Sequence, residues 1–333
     1  MAIRELSRAQ RRLRKLRWFR AIPSGWAEHA RAYRALSRAL RVPAQTISGP
    51  SLVVILPVFT RPENLCLSVA LALRTPGVTE VRICVNDPAI DAESLLDELD
   101  DRVVFDRADE RRGPVERYLA AARSGGEAFV SLDDDIFLHP RQLRALADRA
   151  RAEPRCPHGL YGQRYDASRG RFTQNLCRRE GSVHVLNRLY AFSADQLDRY
   201  LALLGAAVED SHAARVAIDD DVVLSFSGDG LPQVHDLGPW IDCPTETDPR
   251  VSRFGRIDAA ERRRQLYRSL DARVGTRPAI APMAPQPRWP WAPRTALGAG
   301  LYYASGAPVL RAAARATLRG LTSRGLVSRS ALE

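Results

Sequence analysis

From residue 51 onward, apolar runs of strand length alternate with segments of helical character, and this alternation limits the chain's fold more than any other feature. LVVILPVF (52–59) is β-branched and apolar, and the stretch from Arg61 and Pro62 through Leu73 has helical character with proline at its start. EVRICVN (80–86) is the next strand, a charged helix is expected near 91–99, and RVVFD (102–106) is a short strand. GPVERYLAAARS (113–124) then reads as a helix and AFVSL (128–132) as a strand. Such an order predicts an α/β domain whose mixed, mostly parallel sheet is flanked by helices on both faces. In sheets of this class ligands sit beyond the carboxyl ends of the strands, so those ends are where chemistry is expected.

Three of those ends carry conspicuous residues. TRPEN after the first strand offers Arg61 as a cation for an anionic ligand, and Asn86 closes the second strand. SLDDDIF places Asp133, Asp134 and Asp135 together at the end of an apolar strand. In extended backbone, alternate side chains share a face, so Asp133 and Asp135 are expected on one side and Asp134 on the other. Three adjacent carboxylates repel one another and are best tolerated around a cation. An oxygen-only set suits Mg²⁺ or Mn²⁺, with water and substrate phosphate oxygens completing the shell. The bland alternative is a solvated acidic turn.

A second acidic triple, Asp219, Asp220 and Asp221, leads into VVLSF. Its apolar surroundings predict a buried helix with the acids in the first turn, where one Asp could cap free N–H groups. Capping occupies one carboxylate, which leaves at least one to face an active-site pocket. His184, His212 and His235 show no metal-binding spacing and are not assigned to a metal. The five cysteines form no CxxC pair, so neither a zinc cage nor a disulfide framework is indicated, and buried, reduced thiols are expected.

The formal charge of +11 would suggest nucleic acid as a partner if it were spread evenly. It is not: residues 1–45 carry 12 basic against 2 acidic side chains, residues 276–333 carry 8 against 1, and the middle carries 30 against 36. An acidic centre between basic ends argues against a nucleic-acid groove and for ends that meet an anionic membrane surface. Leu6, Ala9, Leu13 and Leu16 fall on one helical face and Arg8, Arg11, Arg12 and Lys15 on another, as in an interfacial helix or an ordinary docking helix with a solvated basic face. APMAPQPRWPWAPR (281–294) reads as an extended linker, and Arg311, Arg315 and Arg319 follow in a second basic segment. The expected organisation is a basic helical extension over 1–49, a central domain over 50–275, and a linker with a basic helical tail over 276–333. No run reaches the length of a membrane span and no secretory signal is recognisable, so a cytoplasmic address is expected, with peripheral attachment to the inner face of the membrane. One lysine against 49 arginines points to a GC-rich, bacterial genome.

Taken in order, FTRPENL, VRICVND, VERYLAA, VSLDDDIF, GLYGQRYD and IDDDVVLSF resemble the nucleotide-sugar glycosyltransferases of the GT-A fold, in particular the exostosin-type family 64 domain, over roughly residues 50–270. The resemblance implies a metal-dependent hexosyl- or N-acetylhexosaminyl-transferase that uses a UDP-sugar and a glycan or glycolipid acceptor, with retention of configuration. It implies Mn²⁺ (or Mg²⁺) at the DDD triple, with Asp135 the direct ligand and Asp133 beside it. By the same likeness Arg61, Asn86, Arg117, Asp133 and Asp134 approach the nucleotide, and Asp220 and Asp221 lie beside the transferred sugar, Asp221 at the reaction centre. The stretch RRGPVERY and residues 232–262 depart from the family pattern. An inverting family-2-like transferase and a non-catalytic membrane-surface protein on the same fold are the alternatives.

Overall fold

A computed structural model describes residues 7–16, 26–44, 49–59, 61–172, 180–207, 218–242, 259–275 and 277–280. At its centre β1 (Leu52–Val58) is buried along its whole length, because both faces of a parallel strand are covered by helices. It pairs in parallel with β2 (Val78–Val85) on one side and β4 (Ala128–Leu132) on the other, and β3 (Val103–Arg107) extends the parallel set beyond β2. Beyond β4 the direction changes. β12 (Leu189–Ser193) runs antiparallel to it, followed outward by β6 (His158–Gly159), β13 (Gln233–Val234) and β10 (Gly181–Ser182). The result is one eight-stranded mixed sheet in the order β10-β13-β6-β12-β4-β1-β2-β3, the mixed, mostly parallel architecture the alternation predicted; α6 (Ala194–Ala207) follows β12, and the short strands β5 (Ile136–Phe137), β7 (Gly162–Gln163), β8 (Tyr165–Asp166), β9 (Arg171–Phe172) and β11 (Val185–Leu186) pair outside this sheet.

Registers align the strand ends. Ile55 lies opposite Ser131 and Pro57 opposite Cys84, so the residues after β1, β2 and β4 emerge at one edge of the sheet. Helix α3 (Leu65–Ala72) follows β1 after a short 3₁₀ turn over Pro62–Asn64, and α4 (Glu116–Ser124) precedes β4. Gly125 ends α4 in the left-handed region (φ 66°), and a side chain at Gly126 would come within 2.6 Å of Val53, so only glycine lets the helix turn this tightly into β4. The helix α5 (Pro140–Ala152) starts with a capping box between His139 and Gln142 and proline at its first position. Where a charged helix was expected near 91–99, the chain makes one 3₁₀ turn at Glu93–Leu95, since four acids in nine residues leave too little apolar surface for a packed helix.

Helix α1 (Arg8–Leu16) corrects the interfacial reading of the N-terminal segment. Its apolar face is taken up inside the protein: Ala9, Leu13 and Leu16 are buried in a cluster with Leu36 of α2 (Trp26–Ala39) and with Leu67 and Leu71 of α3. A face already buried has no apolar area left for a lipid surface. Residues 1–280 form one compact unit, while the unit 281–333, with the Pro-rich linker and the second basic segment, lies outside the described residues, as does His212. No helix among the described residues is long and apolar enough to cross a membrane.

Candidate active site

The acid triple after β4 is not extended. Asp134 and Asp135 occupy a turn closed by the N–H of Ile136 on the Asp133 carbonyl (3.3 Å), so the strand alternation expected for the three side chains fails. The turn puts Asp134 and Asp135 on one guanidinium instead. Arg61 donates to Asp134 Oδ1, and its Nη2 lies 3.3 Å from Asp135 Oδ2. Burial alone would lower the Arg61 pKa, but Asp134 and Asp135 outweigh it and hold it above the ordinary value. The loop itself is pinned by Asn64, whose Nδ2 donates to the Asp134 carbonyl (2.6 Å) while its Oδ1 accepts from Arg12 of α1 (2.7 Å).

Asp133 turns the other way, onto Arg117. This arginine is buried in α4, with Nη2 2.9 Å from Asp133 Oδ1 and Nε 3.3 Å from Asp220 Oδ2. One guanidinium therefore joins the two acidic triples, which are separated by 84 residues between Asp135 and Asp219 in sequence. Desolvation opposes the charge on Arg117, and Asp220 and Asp133 more than offset it, raising its pKa well above the ordinary value. Asp220 and Asp221 begin the short helix α7 (Asp220–Ser225), as expected of acids leading into an apolar helix. The capping alternative fails, because Asp219 makes no side-chain cap to the helix.

Asp221 is gripped by three donors. Arg263 binds it in bidentate fashion, Nη1 to Oδ1 at 2.6 Å and Nη2 to Oδ2 at 2.8 Å, and Asn187 Nδ2 donates to Oδ2 at 2.8 Å. Arg263 comes from α8 (Ala259–Val274), and together with Asn187 and Arg188 it escaped the sequence reading. The signal for Arg263 existed: it shares a helical face with Tyr267 and Leu270, and all three are buried. No comparable signal marks Arg188, which has φ 64°, uncommon for a residue with a side chain. It is held there by three ties: its N–H donates to Tyr190 Oη (2.8 Å), its carbonyl accepts from Asp133 N (2.9 Å), and Nη2 reaches Asp135 Oδ1 (2.6 Å). Strained backbone over-determined in this way tends to sit at functional sites.

Asn86 lies at the same edge, 4% exposed, with its N–H on the Val58 carbonyl (3.1 Å) and its carbonyl accepting from Arg112 (3.0 Å). Its side-chain Oδ1 is buried without a hydrogen-bond partner. All eight candidate residues thus gather at one rim of the sheet, though Asn86 is linked to the acids only through the aligned strand ends. By donor type the carboxylates fit a hard divalent ion. Geometrically they do not converge as a set of three: each is drawn to a different guanidinium or a different side of one, so a cation here would take two carboxylates and complete its shell from substrate phosphate and water.

No family model matches the chain. A stretch of 90 residues, 27% of this chain, is 38% identical to a phosphoenolpyruvate guanylyltransferase of Geodermatophilus obscurus and covers 40% of that protein, so the chain spans less than half of the curated relative it matches. Among solved structures, it is similar to CMP:2-keto-3-deoxy-manno-octonic acid synthetase complexed with CTP (TM-score 0.39, 17% identity, 58% of this chain and 94% of that one). It is also similar to GalNAc-T7 with UDP, GalNAc and Mn²⁺ (TM-score 0.40, 12% identity, 56% of this chain and 42% of that one). At these scores the likeness assigns no site and no reaction.

Proposed function

We propose that this chain is a nucleotide-sugar-dependent glycosyltransferase of the exostosin type, passing a sugar from a UDP-sugar to a glycan or glycolipid acceptor. The observation that carries the reading is Arg117, one buried guanidinium holding Asp133 after β4 against Asp220 at the start of α7. It unites, at the carboxyl edge of a parallel sheet, two acidic motifs that have no local reason to meet. Asn86 Oδ1, a buried acceptor lacking a donor, suits the N–H edge of a nucleobase. Arg61 and Arg188 stand where the diphosphate of such a donor would accumulate charge, and exchanging Asp135 for phosphate oxygens would let both act on the leaving group. Mn²⁺ or Mg²⁺ held by Asp135, with Asp133 joining it only on leaving Arg117, would add Lewis-acid neutralisation of the same charge.

Asp221, fixed by Arg263 and Asn187, would orient the donor sugar and stabilise positive charge at the anomeric carbon, with Asp220 beside it. Retention would follow from attack on the face of the departing phosphate, which would take the acceptor proton. A thermal-shift panel on the full chain, with UDP-, GDP- and dTDP-sugars with and without Mn²⁺, tests the reading. Ligand at a hundred times its Kd should stabilise by about 2.7 kcal/mol, about 4 °C for a chain of this size. Asp135→Asn should abolish the Mn²⁺-dependent part. If no nucleotide sugar shifts the melting temperature under either condition, the reading fails. The 90-residue match to a guanylyltransferase favours a second reading, nucleotidyl transfer from a nucleoside triphosphate. Stabilisation by GTP or CTP but by no nucleotide sugar, with release of pyrophosphate on turnover, would select it.

A further inference from the structure

Between the end of α5 and the start of β6, outside both acidic triples, Glu153, Cys156 and His158 bring a carboxylate, a thiol and an imidazole within 4.8 Å of one another. Cys156 and His158 are buried, with Sγ 3.9 Å from Nε2, while Glu153 is exposed. His158 begins a chain of hydrogen bonds. Its Nε2 lies 2.8 Å from the Glu153 carbonyl, its Nδ1 lies 2.8 Å from Nε2 of His235, and His235 Nδ1 lies 2.7 Å from Glu180 Oε1.

The protons in this chain do not balance for two neutral rings. A carbonyl and a carboxylate only accept, so the three contacts require three hydrogens among four ring nitrogens, whereas two neutral imidazoles carry two. A cation on His158 Nε2 removes the conflict. His158 then donates from Nδ1 to His235, and His235 donates from Nδ1 to Glu180, so two neutral rings supply the two hydrogens these contacts need, while the cation takes the place of the Nε2 hydrogen bond to the Glu153 carbonyl. This is the outer arrangement that fixes the ring and tautomer of a metal-bound histidine.

We infer that Cys156 Sγ, His158 Nε2 and the Glu153 carboxylate form a site for a borderline-soft divalent cation, Zn²⁺ by donor chemistry, oriented through His235 and Glu180. Sulfur, nitrogen and oxygen donors together suit Zn²⁺, unlike the oxygen-only triple at the other site. Binding would break the Cys156 S–H bond and release that proton to solvent as the thiolate coordinates, while His158 carries its hydrogen on Nδ1. The site would also brace the loop after α7. Asp229 N donates to the Arg155 carbonyl (2.8 Å), and a side chain at Gly228 would meet that oxygen at 2.5 Å, so the loop rests directly on the Arg155–Cys156 backbone.

The test is titration of the metal-stripped full chain with Co²⁺, whose thiolate complexes show an ultraviolet charge-transfer band that oxygen ligands do not give. One equivalent should develop the band in the parent chain and equally in an Asp133→Asn, Asp135→Asn double variant. Cys156→Ser should abolish it, and His235→Gln should weaken Co²⁺ binding by about 10–100-fold. Absence of the band in the parent, or its persistence in Cys156→Ser, overturns the site. Should Cys156→Ser fail to fold, Glu153→Gln at the surface decides instead: affinity reduced tenfold or more supports the site, and unchanged affinity overturns it.

Discussion

Replacing Arg117 by methionine removes the charge that joins the two acidic triples while keeping the side chain's bulk. The guanidinium sits 2.9 Å from Asp133 and 3.3 Å from Asp220, and its side chain is 7% exposed. At an effective dielectric of about 20, each contact has a gross Coulomb energy of about 5 kcal/mol, most of it cancelled by desolvation. Removing one partner forfeits the attraction and leaves the other charges stranded, which costs about 3–5 kcal/mol. In a chain of this size that corresponds to a melting temperature lower by about 4–7 °C. The two carboxylates differ in burial: the Asp220 side chain is 11% exposed and that of Asp133 30%. Adding Asp220→Asn to Arg117→Met should therefore restore most of the loss, and adding Asp133→Asn distinctly less, because water already solvates Asp133. Urea denaturation with a double-mutant cycle measures both, provided the slopes stay equal. A parent-like Arg117→Met, within about 1 kcal/mol, would refute the stranding argument, as would equal rescue by the two asparagines.

Two further outcomes are expected. Asp221→Asn should keep nucleotide-dependent stabilisation while transfer falls by about 10²–10³-fold, the scale of losing one preorganised charge-stabilising group; parallel loss of binding and transfer would make Asp221 a purely architectural residue. His184 is buried, and desolvation followed by the nearby Arg277 pushes its pKa down to about 4, while its Nδ1 accepts from Tyr165 N. The unfolded chain takes up that proton near pH 6.5 and the folded one resists to about 4, so stability present above 6.5 is lost across that interval as pH falls, by about 3 kcal/mol. His184→Asn, which keeps an acceptor for Tyr165, should flatten that part of the pH–stability curve. A curve unchanged by the substitution would show that other groups are responsible.

The sheet was legible because its central strands are short and rich in apolar and β-branched residues: β1, β2 and β4 need no partner to be recognised, and their carboxyl ends locate the rim by topology alone. The failures were local and of one kind. Alternation put Asp133 and Asp135 on one face, but the run had already left the strand, and a turn follows different side-chain directions. The basic N-terminal helix carried the pattern of a lipid-facing segment, yet amphipathicity states only that one face is buried, and here α2 and α3 bury it.

Arg263 and Arg188 show the deeper limit. In a chain with 49 arginines, nothing in composition separates those at the site from those in water. The sequence by itself determined the strands β1 to β4, the rim at their carboxyl ends and the two clusters of acids, since these follow from hydrophobic period and local charge. Tertiary structure alone decided which cations meet those acids, because Arg61, Arg117, Arg188 and Arg263 reach them across 16 to 103 residues of chain, and a pairing over such distances is set by how the elements pack.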